Sequence, residues 1–317
     1  MALDPARRIL WLTRAGYVVL ACFAFVYFVF LGFPFDRILQ QPKIARGIEA
    51  FERDNGMKFD VGSIRGGWLF NVVATNVKVT STTGIRRASP QPGDVADEPT
   101  FLLDRVAFRP APLSLLGGRL GMHIDALAYG GRVSGVVAQG RSSTVVDLGI
   151  RNIELAKYTP LATKWQMNLG GQASGAISLT LDADDGAKST GKIDLAIKNA
   201  MIAESNPLGI QKIPKTSFDK GAGAVVVLKD GRAEFQDVGM HGDDLDVTLD
   251  GGVELKKKLA FSNWDARASI KTSDGFNKQV VLLDTFLAPG KGNDGVYRYK
   301  LTGPVGRAPR AVPDHSK

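Results

Sequence analysis

"GKIDLAIKNAMIA" runs from Gly191 to Ala203, and its alternation decides the fold class. Ile193, Leu195 and Ile197 fall on one side of an extended chain, while Lys192, Asp194 and Lys198 bracket them on the other. A period of two means a strand with one buried and one wet face, the habit of antiparallel sheets. "DLDVTLDGGVEL" (Asp244–Leu255) repeats the pattern through Val247, Leu249, Val253 and Leu255, and "NVVATNVKVT" (Asn71–Thr80) carries it too. In "VVVLKDGRAEF" (Val225–Phe235), Asp230-Gly231 supplies the positive φ of a tight turn between two strand-like runs, which is a hairpin signature. The chain is therefore expected to be mainly β, built on a long, twisted, mostly antiparallel sheet.

Composition agrees with a folded chain: 317 residues, 44% hydrophobic and 23% charged, with 36 glycines, many of them between short apolar runs. The formal charge is +8. Residues 1–35 hold Arg7, Arg8 and Arg14 against Asp4, a net +2, so +6 is left for the rest, scattered and without interleaved aromatics. That argues against nucleic-acid binding. The one cysteine, Cys22, precludes an internal disulfide framework or a cysteine-based metal site.

Two glycine-rich strings share a pattern. "YGGRVSGVVA" (Tyr129–Ala138) and "LGGQASGAIS" (Leu169–Ser178) both read Gly-Gly-x-x-Ser-Gly, 40 residues apart, as if one strand-turn-strand unit were used twice. Neither ends in Gly-Lys-Ser/Thr nor opens a helix, so neither is a phosphate cradle.

Upstream of the β region the texture changes. Ala15–Phe33 contains no charged residue, and 19 residues of helix span about 28 Å, close to a bilayer's hydrocarbon thickness. The exit "FLGFPFDR" is bulky where a signal peptidase needs small side chains, so the stretch is expected to remain as an anchor. Arg7, Arg8 and Arg14 keep the short N-terminus in the cytoplasm. The expected organisation is residues 1–14 cytoplasmic, 15–35 a transmembrane helix, and 36–302 a β-rich domain on the far side. A short helix is expected from about Pro42 to Asn55, with Ile44, Ile48 and Phe51 on one face. Residues 81–100, dense in Pro, Asp, Ser and Thr, read as an exposed loop, and 303–317 as a disordered, basic, Pro-rich tail.

Catalytic chemistry is missing from the pattern. His123, His241 and His315 show no metal-ligand spacing, and "DGFNK" and "HGDDLD" lack the ligand ladder of a calcium loop. Asp243 and Asp244 fit a turn in which carboxylates cap backbone amides. No nucleophile elbow or Ser/His/Asp set occurs. Trp68, Trp165 and Trp264 fit the apolar face of the sheet better than a ligand-stacking role. The expectation is a protein that is not an enzyme and uses no cofactor or metal.

The order of these features resembles a known family. "FPFDRI" (Phe33–Ile38) closes the span, and "FDVGSIRGGWLFNVVATNVKVT" (Phe59–Thr80) follows the helix. Then come "LLGGRLGMHIDALAYGGRVSGVVAQG" (Leu115–Gly140) and "LGIRNIELAKYTPLATKWQMNLGGQASGAISLTL" (Leu148–Leu181). Together, over about residues 15–270, they are similar to the type II secretion system protein N family (GspN) of Gram-negative bacteria, and more loosely to AsmA-like inner-membrane proteins. The resemblance implies a single-pass inner-membrane protein with an elongated periplasmic sheet, serving protein transport across the outer membrane beside other secretion-system subunits. It carries over no catalytic residue.

Two readings follow. In one, the sheet is a structural or assembly component of secretion. In the other, it is an AsmA-like lipid handler for envelope maintenance, its apolar face a groove for phospholipid acyl chains lined by residues such as Ile193, Leu195, Ile197, Val247 and Leu249. A closed core would produce the same alternation.

Overall fold

The computed structural model describes residues 57–66, 70–81, 100–158, 167–206, 212–257, 261–305 and 309–314, together with Arg46, Glu49 and Glu52. The strands are β1 (Met57–Gly66), β2 (Val72–Ser81), β3 (Thr100–Pro110), β4 (Leu120–Ala128), β5 (Gly131–Gln139), β6 (Ser143–Glu154), β7 (Leu169–Asp182) and β8 (Thr190–Ile202). They continue with β9 (Thr216–Ser217), β10 (Gly221–Lys229), β11 (Arg232–His241), β12 (Leu245–Glu254), β13 (Asn263–Thr272), β14 (Tyr297–Pro304) and β15 (Arg310–Pro313). All fifteen belong to one sheet, and each pairs with its neighbour in sequence; the two-residue β9 hangs off β8, and β10 takes the next place. Every ladder is antiparallel. The mainly β, antiparallel expectation holds.

Turn chemistry explains the meander. Asp230 and Gly231, at φ 51° and 76°, close the β10–β11 hairpin, and Tyr129 and Gly130, at 51° and 75°, close β4–β5. Positive φ at both central positions is the primed turn whose twist matches its strands. The glycine repeat is not one unit used twice. Its first copy spans that β4–β5 turn, whereas its second lies inside β7, where Gly171 at φ 120° sits at a register shift against β8. The Ser-Gly half does act alike in both. A Cβ at Gly135 would collide with the Asp147 carbonyl on β6, and one at Gly175 with the Asp194 carbonyl on β8.

Three asparagines set the phase of the strands. Asn76, Asn152 and Asn199 all have φ of 51–52° within β2, β6 and β8. Each follows an apolar–polar pair and precedes an apolar residue: Ala74-Thr75-Asn76-Val77, Ile150-Arg151-Asn152-Ile153, Ile197-Lys198-Asn199-Ala200. Asn152 and Asn199 are bulges, marked by register shifts of β6 and β8 against β7, whereas β2 keeps its register on both sides of Asn76 and only its alternation shifts by one. Ala74 and Val77 thus share one cluster, Ile197 and Ala200 another, and the β6–β7 register shifts between Ile150 and Ile153.

Two expectations need correction. The tail read as disordered from residue 303 supplies the end of β14 and all of β15, which pairs Thr302 with Arg310 and Tyr299 with Pro313. The ladder to β14, the Asp314 N–H donating to Arg298 O at 2.9 Å and the Arg267–Asp314 ion pair hold this edge strand, whose Ala311 and Val312 are exposed. The chain also has helices in its C-terminal part that were not expected: α1 (Asp274–Gln279) and α2 (Val281–Leu287). Ser273 caps α1, its hydroxyl accepting from Phe276 N–H at 3.1 Å and donating to Asp244 at 3.0 Å. Residues 1–45, which hold the expected anchor, lie outside the described residues, as does nearly all of the expected 81–100 loop. Of the helix expected near Pro42–Asn55, the described Arg46, Glu49 and Glu52 are helical. Among the described residues no helix is long and apolar enough to cross a membrane.

Candidate functional site: a continuous apolar face

The registers place every strand's inward residues in rows that run across the sheet. One row passes from Leu179 (β7) through Gly191 (β8), Leu228 (β10), Ala233 (β11) and Val253 (β12) to Trp264 (β13). A second runs from Val133 (β5) through Ile150 and Gly175 to Leu195 and Ala224, and reaches Val238 on β11. Followed from β1 to β15, this face carries no Asp, Glu, Lys, Arg or His. The opposite face holds the charges, for example Lys192, Asp194, Arg232, Glu254 and Asp265.

Three buried clusters cover parts of the apolar face. Ala74, Val77, Val106 and Ala126 form one on β2–β4. Leu228, Ala233, Val253 and Leu255 form a second at the hairpin end of β10–β12, with Phe235 and Trp264 at 6.1 Å between ring centroids. The third is made by α1: Phe276 and Val280, each 2% exposed, sit against Ala200, Ile202, Phe218 and Leu245 at the other strand ends. None of the three joins β1–β5 to β7–β14, and none includes a residue of β6. Between them Val146, Leu148, Ile177, Ala224, Val238 and Leu301 remain half-buried, and among the described residues no second layer lies over them.

The five residues singled out from sequence all lie on this face but divide. Ile197 and Val247 pack against the α1 cluster. Ile193, Leu195 and Leu249 are half-buried and belong to no cluster. Sequence reasoning missed Leu148 and Ile177, whose alternation is as clear but whose strands contain glycines and serines.

Trp264 brings a polar atom to the face, since its indole Nε1 is buried without a hydrogen-bond partner. An orphan buried donor costs about 1–3 kcal/mol. Trp264→Phe removes it at the expense of some area, so urea unfolding should show a stability between unchanged and about 1 kcal/mol higher. A loss above about 2 kcal/mol would mean that the N–H is satisfied after all.

Among the described residues the charged groups with shifted pKa values are off the apolar face. Arg132 grips Asp125 through two 2.6 Å bonds, and this hydrogen bonding holds the Asp125 carboxyl below its ordinary range. The Arg298 side chain does the same to Asp294. Asp243 raises Lys220 through a 2.6 Å ion pair rather than capping backbone amides, and Asp244 accepts from Ser273. Burial raises Tyr158, which stacks edge-on to Tyr129. Exposed ion pairs of this kind add little to stability, because water screens them. His241 bonds Asp246 at 3.0 Å, His123 lies on β4, and among the described residues no cluster of metal-ligating side chains forms. A recess of about 410 Å³ on β1–β3, lined by Asp60, Asn76, Lys78 and Asp104 among others, contains no nucleophile–base pair.

No family model, curated protein or solved structure matches this chain.

Proposed function

We propose that this protein is a membrane-tethered lipid-binding protein whose apolar sheet face lines a groove for acyl chains. The observation that carries this reading is a face free of charged side chains across the sheet, over which no other described element packs along β5–β7 and the middle of β8–β13. Soluble proteins rarely leave contiguous apolar surface of that extent without a ligand or partner. A sheet of this width does not stay flat, and curling turns its apolar side into a trough. Strands of about ten residues make that trough about 33 Å long, enough for an extended acyl chain. The tether is the Ala15–Phe33 stretch, with the sheet on the side opposite the arginine-flanked N-terminus, in the periplasm of a Gram-negative cell.

The secretion role implied by the likeness of Phe33–Ile38 and Leu115–Leu181 to the type II secretion family is a second proposal, and its support is that sequence likeness. It needs surfaces for other subunits, and the edge strand β1 is a poor template, because its Phe59 N–H already donates to Glu52 at 2.6 Å. The two roles are compatible.

The test is photo-cross-linking in cells that make the full chain and are fed a photoactivatable phospholipid precursor. Lipid adducts are expected on peptides containing Ile193–Leu195 and Leu148, and Ile193→Asp/Leu195→Asp should lower them at least about tenfold, since each change puts a charge against acyl chains. Adducts confined to residues 15–35, or unchanged in a folded variant, would sink the groove.

A further inference from the structure

The 3-10 turn Pro112–Gly117, between β3 and β4, holds leucines where a folded protein normally hides them. Leu113 is 80% exposed, Leu116 87% and Leu120 73%, with Leu115 and Met122 also exposed. This is an ordered frame rather than a loose loop. Ser114 Oγ donates to the Ala111 carbonyl at 2.6 Å, Ala111 N–H donates to Gly121 O at 2.8 Å, and Gly118 closes the turn at φ 67° with its N–H on Leu115 O. Gly121 lets the turn lie flat on β4, because a Cβ there would strike the Ser114 side chain.

Arginines gather around it, with Asp125, gripped by Arg132, within the field of Arg105 and Arg109, and the Asp182–Asp184 stretch abutting Ser142 through the Ala183 N–H. From Arg105 to Ile124 the chain contains Arg105, Arg109 and Arg119 and no acidic residue. Arg119 runs past the β5–β6 turn, its Cγ 3.5 Å from where a Gly140 Cβ would be, which brings it beside the turn that carries Arg141. All three of Arg109, Arg119 and Arg141 are exposed. The tip has one polar side chain, Ser114, and its hydroxyl is already engaged, so the tip offers a protein partner little to read by hydrogen bonding.

We propose that this tip docks the sheet onto an anionic lipid bilayer. Leucines enter the acyl region while the guanidiniums of the collar meet lipid phosphates, the pairing that holds amphipathic segments at anionic surfaces. The tip sits at the strand ends opposite those where β1 begins at Met57, as the β1–β2–β3 registers require, and is therefore at the end of the sheet away from the point where the chain enters β1. This docking does not depend on what the apolar face holds.

The experiment places the full chain in phosphatidylcholine nanodiscs and measures flotation with vesicles of phosphatidylcholine and phosphatidylglycerol. Capture is expected, weakened at least about tenfold by Leu113→Ser/Leu116→Ser and about fivefold by Arg119→Gln, with further loss in high salt. Thermal melting should be unchanged, since the replaced side chains are exposed. Equal capture of the leucine variant, absence of capture by the parent, or equal flotation with pure phosphatidylcholine vesicles would overturn the proposal. So would cross-links joining the tips of two copies with vesicles left unbound. Lipid adducts in the groove are read separately, so either idea can fail alone.

Discussion

Gly135→Ala and Gly175→Ala should each lower stability by about 3 kcal/mol, read as a shift in urea midpoint. The cause is a backbone collision. A Cβ at Gly135 would penetrate the Asp147 carbonyl and lie 2.8 Å from Leu148 Cα; at Gly175 it would meet the Asp194 carbonyl and lie 2.8 Å from Leu195 Cα. Neither obstacle is a flexible side-chain end, and β6 and β8 are hydrogen-bonded on both flanks, so the partner cannot move aside without breaking ladders. Gly149 is the internal control. It is the next residue along β6 from Leu148, and a Cβ there meets nothing closer than 3.7 Å. Gly149→Ala should be neutral or stabilising by about 0.5 kcal/mol, because alanine loses less entropy in a strand. If all three variants share the parent's midpoint, the close approach of these strands is wrong.

Phe276→Ala is the second large effect, about 3–5 kcal/mol, as a 2% exposed ring is lost from a cluster that α1 makes with six strands. The damage should stay local. Amide exchange is expected to accelerate in α1, α2 and the ends of β8 and β12 near Ile202 and Leu245, while β2–β4 around Ala74 and Val106 keep their protection. A sheet in which each strand touches only its ladder neighbours opens in pieces rather than as a whole. Protection lost equally in both regions would show that one cooperative core joins them.

How much of this was legible follows from the period of two. Ile193, Leu195 and Ile197 announce their strand because nothing interrupts them, and Asp230-Gly231 announces its turn because the positive φ at both positions limits the residues that fit. The phase shifts are written in the sequence as apolar–polar–Asn–apolar, three times, but such a shift reads as loss of pattern unless the left-handed tolerance of asparagine is sought. The strand Arg310–Pro313 was hidden by two arginines and three prolines in the tail, residues tolerated at an edge where one side of the ladder ends. α1 was hidden because "SDGFNKQVV" offers one turn of helix to a cluster assembled from distant strands, which no local window contains. Whether the apolar face is covered has no local signature either. Leu195 alternates identically under a second sheet, a lipid or water.

The strand order has a consequence for how the protein is made. Since β1 to β8 and β10 to β15 are laid down in the order in which they pair, each strand finds its template already finished when it emerges, and none waits for a partner still to be synthesised. Loop-closure costs stay small at every step, so assembly can proceed as a zipper that follows the chain from its N-terminal end. A polypeptide threaded unfolded across a membrane could build this sheet at the pace of its own arrival.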